Sequence, residues 1–276
     1  MALTIRHNLM AQVAQRNLAS TYRNLSESVD ALSSGLRINS ADDDAAGLAV
    51  REKMRAKVAA LDQGVRNAQD AISMLQTFDG AAQTIDEKLV RMKELAEQSA
   101  TGTYTSQQRA IMNEEFNKMR EEIDRIANST DFNGIDGLNS STSITVHFGP
   151  GNASGDSYAV SAQNLTAGSS GLGLDSLSIA SQSSAQSALT AISSAIQSKD
   201  QARAEFGSMI NRLQATVQAE EIQRENLQAA ESRISDVDVA KEMATMTRNK
   251  VLTQAGVSML AQANTMPQMA QSLLGG

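Results

Sequence analysis

The chain has 276 residues and a net charge of −7, with only 3% aromatic residues and no cysteine or tryptophan. So few aromatic side chains supply a large globular core poorly, and an apolar content of Leu, Ile, Val, Met and Ala suits long helices better. The absence of cysteine excludes disulfides and thiolate chemistry. No run of 18 apolar residues occurs, so we expect no transmembrane helix and no membrane insertion.

The first predicted element is an N-terminal helical arm with a coiled-coil stripe. Its apolar residues alternate between spacings of four and three, which is the heptad pattern. These predicted packing residues are Leu18, Tyr22, Leu25, Val29, Leu32 and Leu36. Residues 1–25 carry three arginines and no continuous apolar run, so we do not expect a cleaved secretory signal.

Two further helices are predicted after this arm. Apolar residues recur at helical spacing from Met54 to Ala96 and again from Met112 to Ile126. We expect Asp42–Asp44 in the first turn of the long helix, where the helix dipole favours acidic residues. Consecutive helical residues point in different directions, so these three acids do not predict a cation site.

A third long stripe runs from Leu189 to Ile234 and has a length similar to that of the Met54–Ala96 stripe. Each would span roughly 65 to 70 Å at the helical rise of 1.5 Å per residue. Matched lengths on either side of a turn region predict antiparallel pairing within the chain. The predicted fold class is therefore mainly α: a long antiparallel coiled-coil rod with a small β-hairpin region and paired terminal helices.

The only strand signals lie in the Ser-, Gly- and Asn-rich middle of the chain. Residues 144–148 and 158–160 are β-prone and flank a loop rich in turn residues, which predicts a hairpin. Asn133-Gly134 is suited to a turn with positive φ. We expect residues 168–186 to form an extended connector.

The C-terminal arm is rich in Ala, Met and Gln and weakly charged. Residues 1–40 have a net charge of +2 and residues 237–276 of +1, which leaves −10 for the segment between them. An acidic body argues against nucleic acid as a partner. Weakly charged arms with adaptable methionines favour packing against protein, with ordinary core filling as the alternative. The predicted packing residues of this arm are Met243, Val251, Met259, Leu260, Met266 and Leu273.

Nothing in the sequence predicts an enzyme. Its two histidines, His7 and His147, lie far apart in the chain, and no HExxH, GxGxxG or GxxxxGK[ST] motif occurs. We therefore predict no catalytic, metal-binding or cofactor-binding residue. The predicted division of the chain has five parts, an N-terminal arm, a first rod, a tip with hairpin and connector, a returning rod and a C-terminal arm. Their bounds are 1–42, 43–128, 129–186, 187–234 and 235–276.

Three segments resemble bacterial flagellins closely. Arg37–Val50, RINSADDDAAGLAV, resembles the segment that joins the N-terminal arm of flagellins to their rod. Glu231–Met243 and Gln254–Asn264 resemble the corresponding C-terminal segments. One departure is Asp42, where the family commonly has lysine, which alters the charge of this joint.

The resemblance implies a structural subunit that polymerises into the flagellar filament and transmits motor rotation for swimming. It implies paired arms lining the inside of a tube, and the short middle segment implies a form without large outer variable domains. Repeated contacts between non-identical surfaces build an open helical filament. A hook–filament junction protein or another axial component is the alternative, followed by an intracellular coiled-coil scaffold.

Further expectations depend on the same resemblance. Flagellins leave the cell through the hollow flagellum without a cleaved signal, so the expected location is the extracellular filament. Expected partners are copies of the chain itself, an export chaperone that covers the C-terminal arm, the cap protein and the hook-associated junction proteins. A host innate immune receptor is a further expected partner, with Arg91, Leu95 and Glu115 at the matching contact positions.

Overall fold

The computed structural model describes residues 7–274, without the side chains at positions 267, 268 and 270–274. The fold is mainly α, as predicted, with two small antiparallel hairpins between the third and fourth helices of this part of the chain. The elements in chain order are α1 (Leu9–Ser34), α2 (Ala45–Ala100), α3 (Ser106–Ser129), β1 (Asp131–Phe132), β2 (Ile135–Asp136), β3 (Ser143–His147), β4 (Ser157–Ser161), α4 (Gln182–Ser235) and α5 (Val239–Leu274).

The chain divides into two compact units. The terminal unit comprises residues 1–56 and 226–276, and the central unit comprises residues 57–225. None of the helices in the described residues is both long and apolar enough to cross a membrane.

In the terminal unit, α1 and α5 pack against each other in antiparallel orientation. Asn8 caps the start of α1, and its side-chain Nδ2 also donates to the Ala263 carbonyl near the other end of α5, at 2.8 Å. At the far end of α1, Gly35 ends the helix in the left-handed conformation with φ of 74°. Its carbonyl accepts from Val237 N at 3.0 Å, just ahead of α5. The predicted pairing of the terminal helices is therefore present.

The start of α2 differs from the sequence prediction. Asp42–Asp44 precede the helix rather than filling its first turn, since α2 begins at Ala45. Asp44 Oδ1 accepts from Gly47 N at 2.9 Å and thereby caps the helix. Asp43 Oδ2 accepts from Ser40 N and Asn39 N, both at 2.8 Å. The hydrogen bonds from these two backbone groups lower the pKa of Asp43.

The central unit is built around one hydrophobic core shared by α2, α3 and α4. Its largest buried side chains are the rings of Phe78, Phe116 and Phe206, one from each helix, and none is more than 1% exposed. The rings of Phe78 and Phe206 lie 6.3 Å apart, between centroids, in a tilted arrangement. The core therefore depends on apolar positions at helical spacing, as the sequence pattern predicted.

Three ion pairs join α2 to α4 along this core. Each acid lies on α2 and each base on α4, and later positions on α2 meet earlier ones on α4, as antiparallel helices require. The pairs are Asp62–Arg224 at 2.8 Å, Asp79–Arg203 at 2.7 Å and Asp86–Lys199 at 2.6 Å. Opposite charges at fixed positions favour this register, because sliding one helix would separate all three pairs.

The predicted hairpin is confirmed as β3 and β4, with Ile144 opposite Val160 and His147 opposite Ser157. The shorter β1–β2 hairpin turns through Asn133 and Gly134, whose φ angles of 53° and 76° confirm the predicted turn.

Residues 168–186, predicted to be an extended connector, pack against the central core instead. Leu172, Leu174 and Ile179 are all buried in the central core. Helix α4 then begins at Gln182 rather than near residue 187, because the Ser181 hydroxyl accepts from Ser184 N and caps the helix earlier.

Candidate assembly interface

The contact between α1 and α5 depends on small and polar residues of α5. Gly256 faces Leu18 so closely that a Cβ at this glycine would lie 3.0 Å from Leu18 Cδ1. Asn249, Thr253 and Ala263 are buried at 7% exposure each and follow the same face of α5. Short side chains on one helix allow the larger leucines of the other to approach. The two arms therefore form a seam within a single chain.

Apart from this seam, large apolar side chains remain exposed on more than one side of both arm helices. These side chains are between 45% and 62% exposed, and covering each would contribute about half of the roughly 1.5–3 kcal/mol expected for a fully exposed one. They are Leu9, Met10, Val13, Tyr22, Val29, Val239, Met243, Val251, Leu252, Val257, Met259 and Met269. Exposed apolar surface that follows two neighbouring helices indicates an interaction surface rather than scattered surface residues. We call this set the outward arm face.

A groove of about 510 Å³ lies between the two helices and is lined by part of this set. Leu9, Val13 and Leu18 of α1 form one wall, and Leu252 and Met259 of α5 form the other. Its lining is largely apolar, so its chemistry suits apolar side chains of a protein neighbour rather than a charged ligand.

The predicted packing residues divide between the seam and the outward arm face. Six are half-buried in the isolated chain, namely Leu18, Leu25, Leu32, Leu36, Leu260 and Met266. Five are exposed by 46% to 61%, namely Tyr22, Val29, Met243, Val251 and Met259. Leu273 lies outside the side chains that the structure describes.

The polar members of the seam are not predicted by the apolar stripes. Ser28 is 3% exposed, and Asn249 and Thr253 are 7% exposed, but a search for apolar stripes passes over all three. The heptad spacing of α5 could have predicted them, because positions 249, 253, 256, 260 and 263 alternate between steps of four and three. All five are buried or half-buried in the structure.

The residues predicted for receptor contact lie in the central unit, and the structure brings them to one place. Arg91 of α2 donates through Nε and Nη2 to Glu115 Oε1 of α3, at 2.9 and 2.8 Å, and through Nη1 to Glu94. These hydrogen bonds, with Glu115 first, raise the pKa of Arg91. The guanidinium and the Glu115 carboxylate are about half exposed, whereas Leu95 is only 2% exposed and belongs to the core.

Paired terminal helices and a core shared by three further helices define a mainly α protein whose arms carry exposed apolar side chains. The sequence matches the bacterial flagellin N-terminal helical region over residues 5–143 and the bacterial flagellin C-terminal helical region over residues 189–274. The chain therefore belongs to the bacterial flagellin family. It is a structural subunit of the extracellular flagellar filament, which serves swimming motility.

Relatives and solved structures agree with this assignment. The chain is 43% identical to a flagellin of Halalkalibacterium halodurans, across 99% of this chain and 100% of the relative. It is 40% identical to the flagellar filament 33 kDa core protein of Treponema phagedenis, again across 99% and 100%. The crystal structure of Bacillus cereus flagellin is 32% identical with a TM-score of 0.50, across 56% of this chain and 88% of that one.

A putative flagellar hook-associated protein from Vibrio parahaemolyticus shares the fold with a TM-score of 0.59, across 70% of this chain and 100% of that one. Its identity to this chain is 19%, so this likeness concerns the fold alone. The filament subunit is accordingly better supported than the junction protein that the sequence left as an alternative.

Proposed function

We propose that the outward arm face forms the subunit contacts at the core of the filament. The observation that carries this proposal is the exposure of apolar side chains on both α1 and α5, with Tyr22 at 52%, Val251 at 58% and Met259 at 61%. A neighbour that covers these side chains gains the free energy of apolar burial. Because the surfaces on each copy are not identical, repeated contacts propagate into an open polymer.

A charge introduced on this face tests the proposal. Val251→Lys replaces an exposed valine, so we expect the monomer to keep its helical content by circular dichroism. We expect polymerisation to fail, because assembly would bury an unpaired ammonium group. Ser154→Lys, in the exposed loop between β3 and β4, adds the same charge as a matched control and leaves assembly intact. Filaments of normal length from Val251→Lys, seen by electron microscopy, would refute the proposal.

The exposed apolar side chains of the C-terminal arm also suggest a need for protection before export. Before export, a chaperone covers the C-terminal arm and keeps its apolar side chains from premature contact with other copies. Export takes place through the hollow flagellum without a cleaved signal, and the cap protein and hook-associated junction proteins meet the subunit in the assembled flagellum. Removal of residues 235–276 abolishes chaperone binding if the arm is the site. Chaperone binding that survives this truncation would contradict a binding site on the arm. Amino-terminal sequencing of the exported protein tests whether a signal segment has been cleaved.

A host innate immune receptor is proposed to contact the surface around Arg91 and Glu115. Their exposed ion pair offers a forked donor and a carboxylate side by side, and buried Leu95 supports the backbone beneath them. We expect Arg91→Ala to reduce receptor signalling by the monomer. Arg125→Ala removes a different exposed arginine, which pairs with Glu122 on α3, and serves as the control. An unchanged response to Arg91→Ala would refute this contact.

A further inference from the structure

Glu220 of α4 is a buried acid with one unpaired carboxylate oxygen in the described part of the chain. Glu220 is only 6% exposed, and its Oε2 atom forms no hydrogen bond within the described residues. A buried ionised carboxylate without a hydrogen bond is costly, so such a group either takes up a proton or finds a cation.

The end of the β3–β4 hairpin closes over this carboxyl group. The Phe148 carbonyl oxygen lies against Gly64 of α2 so tightly that a Cβ on this glycine would overlap it. The same Cβ would lie 3.1 Å from Glu220 Oε2, so the two oxygens lie on the same side of Gly64. Two oxygens that both accept hydrogen bonds repel each other unless one of them carries a proton.

The hairpin has other attachments that hold it in this place. Asn67 Nδ2 of α2 donates to the His147 carbonyl at 2.9 Å. The rings of Phe148 and Tyr158 pack at 4.6 Å between centroids, and the Arg212 guanidinium of α4 lies 4.2 Å from the centre of the Tyr158 ring. None of these contacts involves the Glu220 carboxyl group, so they do not change with its protonation.

The charged groups around Glu220 leave it without a compensating cation. On α4, Arg224 pairs with Asp62 of α2, and Arg212 lies over the Tyr158 ring. On α2, Arg66 donates to Gln63. From the hairpin loop, the nearby Asp156 carboxylate repels the ionised form. Burial, and after it the charge of Asp156, raises the pKa of Glu220 to about 7.

We propose that Glu220 is a protonation latch for the β3–β4 hairpin. In its neutral form the carboxyl group donates a hydrogen bond to the Phe148 carbonyl oxygen and holds the loop against α2 and α4. In its ionised form it faces that carbonyl and Asp156 without a donor, and the loop loosens. The latch concerns the hairpin of a single chain and does not depend on the proposed contacts of the outward arm face.

The direction of the pH effect follows from linkage. The pKa of Glu220 is raised from its ordinary value of 4.5 to about 7 with the hairpin docked. Its contribution to docking is therefore fully present below its ordinary pKa and is lost as the pH rises through about 7. Between about pH 5 and pH 8, the opening equilibrium of the hairpin should increase roughly ten- to a hundredfold.

Hydrogen exchange of the full-length monomer measures this opening. Amide exchange in residues 143–161, corrected for the intrinsic pH dependence of exchange, should show weaker protection at about pH 8 than at about pH 5. Glu220→Gln keeps a donor and cannot ionise, so its hairpin stays protected at both pH values. Glu220→Ala has neither donor nor charge, so its hairpin should be less protected than that of Glu220→Gln at both pH values and should show no pH dependence. Glu221→Gln changes an exposed acid on the same helix and retains the wild-type pH dependence.

Three results would overturn the latch. Equal corrected protection of wild-type hairpin amides at the two pH values would remove its basis. A Glu220→Gln variant that keeps the wild-type pH dependence would assign the effect to another group. Protection restored at about pH 8 by added calcium would show a cation site between Glu220 and Asp156 instead. Folding of each variant is checked by the protection of α2 amides, which the latch does not control.

Discussion

Lys199 Nζ of α4 lies 2.6 Å from Asp86 Oδ1 of α2, and the lysine side chain is only 3% exposed. A second carboxylate, that of Asp200, lies at the same distance from the ammonium group. Burial lowers the pKa of Lys199, but hydrogen bonds with Asp200 and Asp86 outweigh it and leave the pKa above the ordinary 10.5. Lys199 is therefore the least exposed charged residue of the three α2–α4 ion pairs, and its ammonium group lies between two carboxylates.

Asp86→Asn should destabilise the monomer by about 1–3 kcal/mol, because it removes the partner of a buried ammonium group on the other helix. Urea denaturation followed by circular dichroism measures the change. Asp70→Asn alters an exposed acid on the same helix and should change stability by no more than about 0.5 kcal/mol. Equal effects of the two substitutions would contradict a role for the pair.

The pH dependence of this pair has a definite direction. Since the folded pKa of Lys199 lies above its ordinary 10.5, its contribution is fully present below that value and is lost as the pH rises beyond it. The stability difference between wild type and Asp86→Asn should therefore stay constant from neutral pH to about pH 10 and shrink in strong alkali. A difference that disappears near neutral pH would rule out this origin.

Gly64→Ala should displace the β3–β4 hairpin, because the added methyl would overlap the Phe148 backbone carbonyl, which cannot rotate away. We expect a loss of about 1–3 kcal/mol, as for other overpacked core positions, together with faster amide exchange in the hairpin. Gly80→Ala is the matched control on α2, since nothing lies within 4 Å of its added methyl. Higher helix propensity should make that variant up to about 1 kcal/mol more stable. Equal stabilities of the two variants would count against close packing at Gly64.

Gly35→Ala should weaken the junction between α1 and α5 through the backbone alone. Gly35 has a φ of 74°, and no atom lies within 4 Å of an added Cβ, so the cost is that of left-handed conformation, about 1–2 kcal/mol. Gly102→Ala likewise meets no atom within 4 Å, and no positive φ is required there, so it should be close to neutral. Thermal unfolding of the two monomers compares them directly.

Arg109→Lys should loosen the connection between α2 and α3. The arginine is 8% exposed and donates to three backbone carbonyls, those of Ser99, Thr101 and Tyr104. A lysine cannot reproduce this fork, so we expect a loss of about 1–3 kcal/mol and faster amide exchange in residues 100–105. Arg125→Lys, at an exposed ion pair on α3, should stay within about 0.5 kcal/mol of wild type.

Most of the helices, one turn and the family of this protein could be predicted from local patterns in the sequence. The stripe from Met54 to Ala96 predicted the buried face of α2, and Asn133-Gly134 predicted a turn that the φ angles confirm. The motif at Arg37–Val50 pointed to the flagellin family before any fold was known. Helical periodicity and turn chemistry depend on neighbouring residues, so the amino-acid order by itself determines them.

Only the tertiary structure decided which stripe residues remain uncovered. Leu18 and Tyr22 belong to one heptad stripe, yet the first packs against Gly256 and the second is 52% exposed. Likewise, Leu95 belongs to the core and Glu220 is buried beneath a hairpin far from it in sequence. Burial depends on which distant segments meet, and a sequence pattern specifies a face without specifying what covers it. Periodicity determined the helices, and long-range packing decided which of their side chains remain available to a neighbour or to a proton.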